Sequence, residues 1–92
     1  MSTLAHSERF LTWMTIEQGR SPRTIDAYRR DIAVYEKFLI TQDCDVLTSS
    51  SEVVERYIAS LRSSGKAAKS VARMYAAVRM LHRYLIEERI RS

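Results

Sequence analysis

The run GRSPRTIDAYRRDIAVYEKFL, residues 19–39, decides the fold class. Gly19 stands where a helix often stops in a left-handed cap. Ser21-Pro22 then starts a new one. The serine side chain can take a free amide, and proline at the first helical position lacks the N–H that would go unpaired there. Ile25, Tyr28, Ile32, Tyr35 and Leu39 follow at steps of three, four, three and four residues, which is one face of an α-helix. The spacing predicts a helix from Pro22 to about Ile40, with Thr41–Asp45 as a loop.

Working outward, residues from about Leu4 to Gln18 read as an earlier helix with Phe10, Leu11, Trp13 and Met14 toward one side. After the loop, Ser49-Ser50-Ser51 offers a cap, and Glu52 and Glu55 suit the positive end of a helix dipole. Val54, Tyr57, Ile58 and Leu61 make a short third helix that ends near Ser63-Ser64-Gly65. A fourth runs from about Ala67 to Glu88, with Val71, Met74, Tyr75, Val78, Leu81, His82 and Leu85 as its buried stripe. Four helices joined by short loops predict a compact all-α bundle, one domain over residues 1–92.

The composition excludes other classes. A chain of 92 residues supports one modest core. Two Gly and one Pro are too few for an all-β chain that must turn every ten residues or so. The lone Cys44 forms no intrachain disulfide and no Cys cluster for zinc. No segment approaches the ~20 apolar residues of a membrane span, and Met1–Ser7 lacks the features of a secretory signal. A cytoplasmic protein with no membrane association, metal or cofactor is expected.

Charge supplies the positive clue. The net charge is +4, and its distribution is uneven. Arg62, Lys66, Lys69, Arg73, Arg79 and Arg83 occur without an acid between them, while Glu36, Asp43, Asp45, Glu52 and Glu55 gather elsewhere. Such separation lets one surface attract a polyanion. Counting ~100° per residue puts Arg23, Ala27, Arg30, Val34 and Lys37 opposite the apolar face of the second helix. The same count puts Lys66, Lys69, Arg73, Ala76 and Met80 opposite that of the fourth, with Arg79 and Arg83 flanking. Alanines among basic residues let a helix approach a groove while Arg and Lys reach phosphates or guanine edges. Thr24 and Ser70, near helix starts, add hydroxyls and amides suited to phosphate. The candidate DNA-binding set is Arg23, Thr24, Ala27, Arg30, Lys66, Lys69, Ser70, Arg73, Ala76 and Arg79.

The order of these pieces resembles a known family. Gly19, Ser21, Thr24, Tyr28, Asp31, Ile32, Tyr35 and Phe38, with Lys69–Arg73 and Ala77–Leu85, are similar to the N-terminal core-binding domain of tyrosine recombinases, the Xer and phage-integrase group. Met74-Tyr75 and Met80-Leu81-His82 depart from the usual residues there. The resemblance implies a four-helix SAM-like orthogonal bundle that forms half of a clamp around double-stranded DNA, with the second and fourth helices toward the duplex. It also implies a C-terminal catalytic domain and neighbouring recombinase protomers as partners, the first helix contacting the next protomer. Catalysis belongs to that other domain, so no catalytic residue is expected in this chain.

Individual residues have plainer readings. Phe10 and Trp13 are expected in the core, as are Tyr28, Tyr35, Tyr57 and Tyr75, with Tyr84 nearer the edge of its helix and all five tyrosines packed. His82 reads as a satisfied boundary histidine, and Asp31 as the partner of a nearby Arg or a loop cap. Arg73 is expected to face out, so that its loss would weaken DNA binding without melting the bundle. The alternatives are an all-α protein-interaction bundle and a helix-turn-helix-like regulator; the length of the fourth helix argues against the latter.

Overall fold

Serine caps set the start of two of the four helices. In this computed structural model, which describes residues 4–91, Ser21 Oγ accepts the amide of Thr24 at 3.2 Å and Ser50 Oγ accepts that of Val53 at 3.3 Å. The elements are α1 (Leu4–Ile16), α2 (Pro22–Thr41), α3 (Ser51–Ser63) and α4 (Ala68–Glu87). No helix among the described residues is long and apolar enough to cross a membrane. Met1–Thr3 and Ser92 of the expected 1–92 domain lie outside the described residues.

Each boundary falls within two residues of its expected place. The first helix stops at Ile16 rather than Gln18, because Gly19 turns the chain at φ +61° and the Arg20 amide reaches back to the Met14 carbonyl at 3.2 Å. Gly65, at φ +82°, turns the chain between α3 and α4.

All four helices contribute to one core. Phe10, Leu11 and Met14 of α1 meet Ile32, Tyr35 and Leu39 of α2, Tyr57 and Leu61 of α3, and Val78, Leu81 and Leu85 of α4, all buried. Leu81 and Leu85 have no exposed surface, and truncating a leucine in such a place typically costs about 2–5 kcal/mol. Of the tyrosines, one at a helix margin packs as expected and one departs from expectation. Tyr84 is buried, because α1 lays Phe10 and Trp13 against it with ring centroids at 5.7 and 5.4 Å. Tyr75 is 41% exposed, because it sits at the outer margin of the α4 stripe where a groove opens toward α3. Tyr28 and Trp13 are half-buried against the core.

A polar network closes the far end of the bundle. Arg91 donates to the Val46 carbonyl at 2.7 Å and the Ser49 carbonyl at 2.8 Å, tying the chain after α4 to the loop between α2 and α3. It also donates to His82 Nδ1 at 3.3 Å. That nitrogen is therefore an acceptor, which puts the His82 proton on Nε2, where it is donated to the Tyr35 hydroxyl at 2.7 Å. Tyr35 in turn reaches Ser49 Oγ at 3.0 Å. Burial, then the Arg91 charge, pushes the His82 pKa down to about 4.

Candidate nucleic-acid interface

The amphipathic periods of α2 and α4 make these two helices pack along each other, so the residues bordering each stripe meet at a seam. Asp31 borders the stripe of α2, and Arg73 that of α4. Arg73 Nε donates to Asp31 Oδ2 and Nη2 to Oδ1, both at 2.9 Å. The carboxylate is 3% exposed and the guanidinium side chain 49%. The fork-to-fork geometry leaves the outer N–H groups of Arg73 toward solvent. Hydrogen bonding to Asp31, then its charge, raises the Arg73 pKa further, so the cation is permanent.

This corrects one expectation. Arg73 is not a free outward cation but the counter-ion of a buried carboxylate, so its loss disturbs the bundle as well as the surface. The pairing foreseen for Asp31 is present, with an arginine 42 residues away.

The other candidates distribute around that seam. Counting about 100° per residue from Asp31 toward solvent, Ala27, Arg23 and Arg30 come within roughly the next 100°. From Arg73, Lys69 and Ala76 come within roughly 60°. Arg23, Arg30 and Lys69 are exposed, and Ala27 and Ala76 are half-buried, so small side chains line the seam between basic ones. Lys66 precedes α4, whose N-cap residue Ala67 supplies no side-chain hydrogen bond. The first amides of α4 are thus uncapped beside two lysines. Arg23, Arg30, Lys66 and Lys69 make no ion pair among the described residues.

Two candidates stand differently. Thr24 is drawn into the α2 cap: its amide donates to Ser21 Oγ, and its hydroxyl accepts from Ser21 at 3.0 Å. Arg79 lies apart from the seam, on the flank of α4 toward α3, with its guanidinium 5.7 Å from the centre of the Tyr75 ring. Ser70 is half-buried near the start of α4. Arg83 is engaged with Glu87 at 2.8 Å, and Arg29 with Glu8 of α1.

Sequence reasoning did not find the Arg91 staple or the bidentate form of the Asp31 contact. A charged residue on the margin of an apolar stripe was the available signal for Asp31; nothing near Arg91 in the sequence marks its partners. Among the described residues there is no group of His, Cys, Asp and Glu that could hold a metal ion.

Residues 7–89 match the family described as phage integrase, N-terminal SAM-like domain. The tyrosine recombinase XerD of Bradyrhizobium diazoefficiens is 39% identical over 83 residues, covering 90% of this chain and 26% of that protein. XerD of Proteus mirabilis is 32% identical over 85 residues, covering 92% and 27%. XerD of Staphylococcus haemolyticus is 31% identical over 83 residues, covering 89% and 28%. The chain thus spans about a quarter of the length of the curated relatives it matches. No solved structure matches.

Proposed function

The chain belongs to the phage integrase N-terminal SAM-like domain family, and from that premise we propose that it is the DNA-binding module of a site-specific tyrosine recombinase. It holds duplex DNA at one half of a recombination site and leaves strand cleavage to a catalytic domain elsewhere in the parent protein. The observation that supports this best is the meeting of two basic helix faces at one seam. Arg23 and Arg30 come from α2 and Lys66 and Lys69 from the start of α4, with the Asp31–Arg73 pair between them.

The physical reasoning is electrostatic and geometric. Four uncompensated cations give a local positive field that concentrates counter-ions, and a polyanion that displaces them gains their release entropy. Ala27 and Ala76 keep the seam shallow enough for a phosphate backbone to approach. Asp31 holds the Arg73 fork in one orientation, so its outer N–H groups lose little rotamer freedom on meeting a phosphate. The uncapped α4 amides suit another phosphate. Thr24 and Ser70 remain hydroxyls near these contacts. Arg79, on the far flank, is not assigned to the duplex. The catalytic domain of the parent protein supplies the other half of the clamp, and α1 is the helix turned to a neighbouring protomer.

The test is salt dependence. Four to five phosphate contacts give a log–log slope of about −4 against salt on duplex DNA, since each contributes about −0.9. A slope shallower than about −2, or one unchanged by Lys69→Glu, contradicts the proposal.

A further inference from the structure

We infer that the groove between α3 and α4 is a docking site for an acidic amphipathic helix of a partner protein. The groove is open to solvent and has a volume of about 1000 Å³. Its apolar lining comes from Val54 and Ile58 of α3 and from Tyr75, Val78 and Ile86 of α4. Tyr75 and Ile86 are 41% and 52% exposed, so this surface faces water while the rest of the α4 stripe is covered. From Tyr75 to Ile86 the wall extends about 16 Å, or three helical turns. Apolar anchors three or four residues apart on an incoming helix match that length.

The rim decides the sign of the partner. Arg62 and Arg79 line it without an ion pair among the described residues, and Arg83 lines it with Glu87 held at 2.8 Å. Glu55 is the other acid there. The uncompensated excess is positive, so acidic residues flanking an apolar stripe complement it. Nucleic acid fits poorly, because duplex phosphates would leave Tyr75 and Ile86 without apolar cover. A second copy fits poorly too. The apolar stripes of all four helices are spent on the core, and beyond this groove the exposed large hydrophobic residues among those described are Ile16, Val34 and Ile40.

The groove is independent of the proposed DNA face. On α4, Ile86 lies about 140° around the helix from Arg73 and about 80° from Ala76, the nearest seam residue, so a ligand on the seam leaves the apolar wall of the groove open.

The probe is a synthetic helical peptide of roughly four turns carrying leucines at i, i+3, i+4 and i+7 with glutamates on both flanks. It is titrated into the 92-residue chain with amide shifts recorded. Two controls share its length: one with lysines for glutamates, and one with the same composition scrambled to destroy the stripe. The acidic striped peptide is expected to bind at least about tenfold more tightly than either control, with shifts confined to α3 and α4 around Tyr75 and Ile86. Ile86→Ser, at an exposed position, should weaken it by about tenfold, and Arg79→Glu should abolish the preference for acid. Equal binding of the three peptides, indifference to Ile86→Ser, or shifts centred on the seam would overturn the inference. So would displacement of the peptide by duplex DNA, or a dimer in sedimentation that Ile86→Ser dissolves.

Discussion

Replacing Arg73 with alanine is the perturbation whose outcome the structure changes most. It removes both hydrogen bonds to Asp31 and strands a carboxylate that is 3% exposed. Breaking a fully buried ion pair by deleting one partner typically costs about 3–5 kcal/mol. Here the guanidinium is half exposed, so water screens the pair in the folded state and also reaches the bereaved carboxylate. The cost is therefore set at about 2–3 kcal/mol, against about 5–14 for a domain of this length. With a urea slope of about 1.2 kcal/mol/M, the unfolding midpoint falls by about 1.7–2.5 M. Circular dichroism in urea at neutral pH reads this directly. Adding Asp31→Asn to Arg73→Ala removes the stranded charge and should recover at least about 1 kcal/mol. A single variant within about 0.5 kcal/mol of the parent, or a double variant no better than the single, refutes the reasoning. DNA affinities of Arg73→Ala should accordingly be measured well below its melting temperature.

Three other sites give expected outcomes. His82 titrates near 4 in the folded chain and near 6.5 when unfolded, so in that window the unfolded state takes up the proton first. Stability therefore falls as pH drops from about 6.5 to 4, by up to about 3 kcal/mol, and His82→Gln removes that part of the slope in pH-dependent melts. The Tyr57 hydroxyl is buried with no hydrogen-bond partner among the described residues, and burial with the nearby Asp31 charge pushes its pKa up to about 12. Tyr57→Phe should then be neutral or stabilise the bundle by up to about 1 kcal/mol in urea; a loss greater than 1 would show that the hydroxyl has a partner. At Gly19 an added Cβ meets nothing within 4 Å, but φ is +61°, so Gly19→Ala should cost about 1 kcal/mol from backbone strain alone. An unchanged melting temperature would contradict that.

The helices were legible because their signals are local. The Ser21-Pro22 start, the three-four spacing from Ile25 to Leu39 and the glycines at 19 and 65 all act within a few residues, and the bundle obeys them. The two basic faces were legible for the same reason, since angular position on one helix follows from counting. What counting on a single helix does not contain is the identity of the neighbour. Tyr84 goes from the margin to the core because α1 covers it, while Tyr75, on the same helix, stays half open because α3 does not reach over it. Arg73 looked free on α4 alone and is bound once α2 brings Asp31 alongside. Arg79, counted on the flank of the basic face of α4, stands on the α3 side beside the Tyr75 ring. The Arg91 staple spans more than 40 residues of sequence and rests partly on backbone carbonyls, which leave no mark in side-chain identity.

If a duplex lies on the α2–α4 seam, titration of the labelled chain with a short duplex shows it in the amide shifts. Shifts should cluster in residues 23–31 and 66–73, fade as salt rises, and spare Tyr75, Ile86 and the groove behind them. Shifts spread evenly over every helix, or gathered on the α3 side while the seam stays silent, would contradict it.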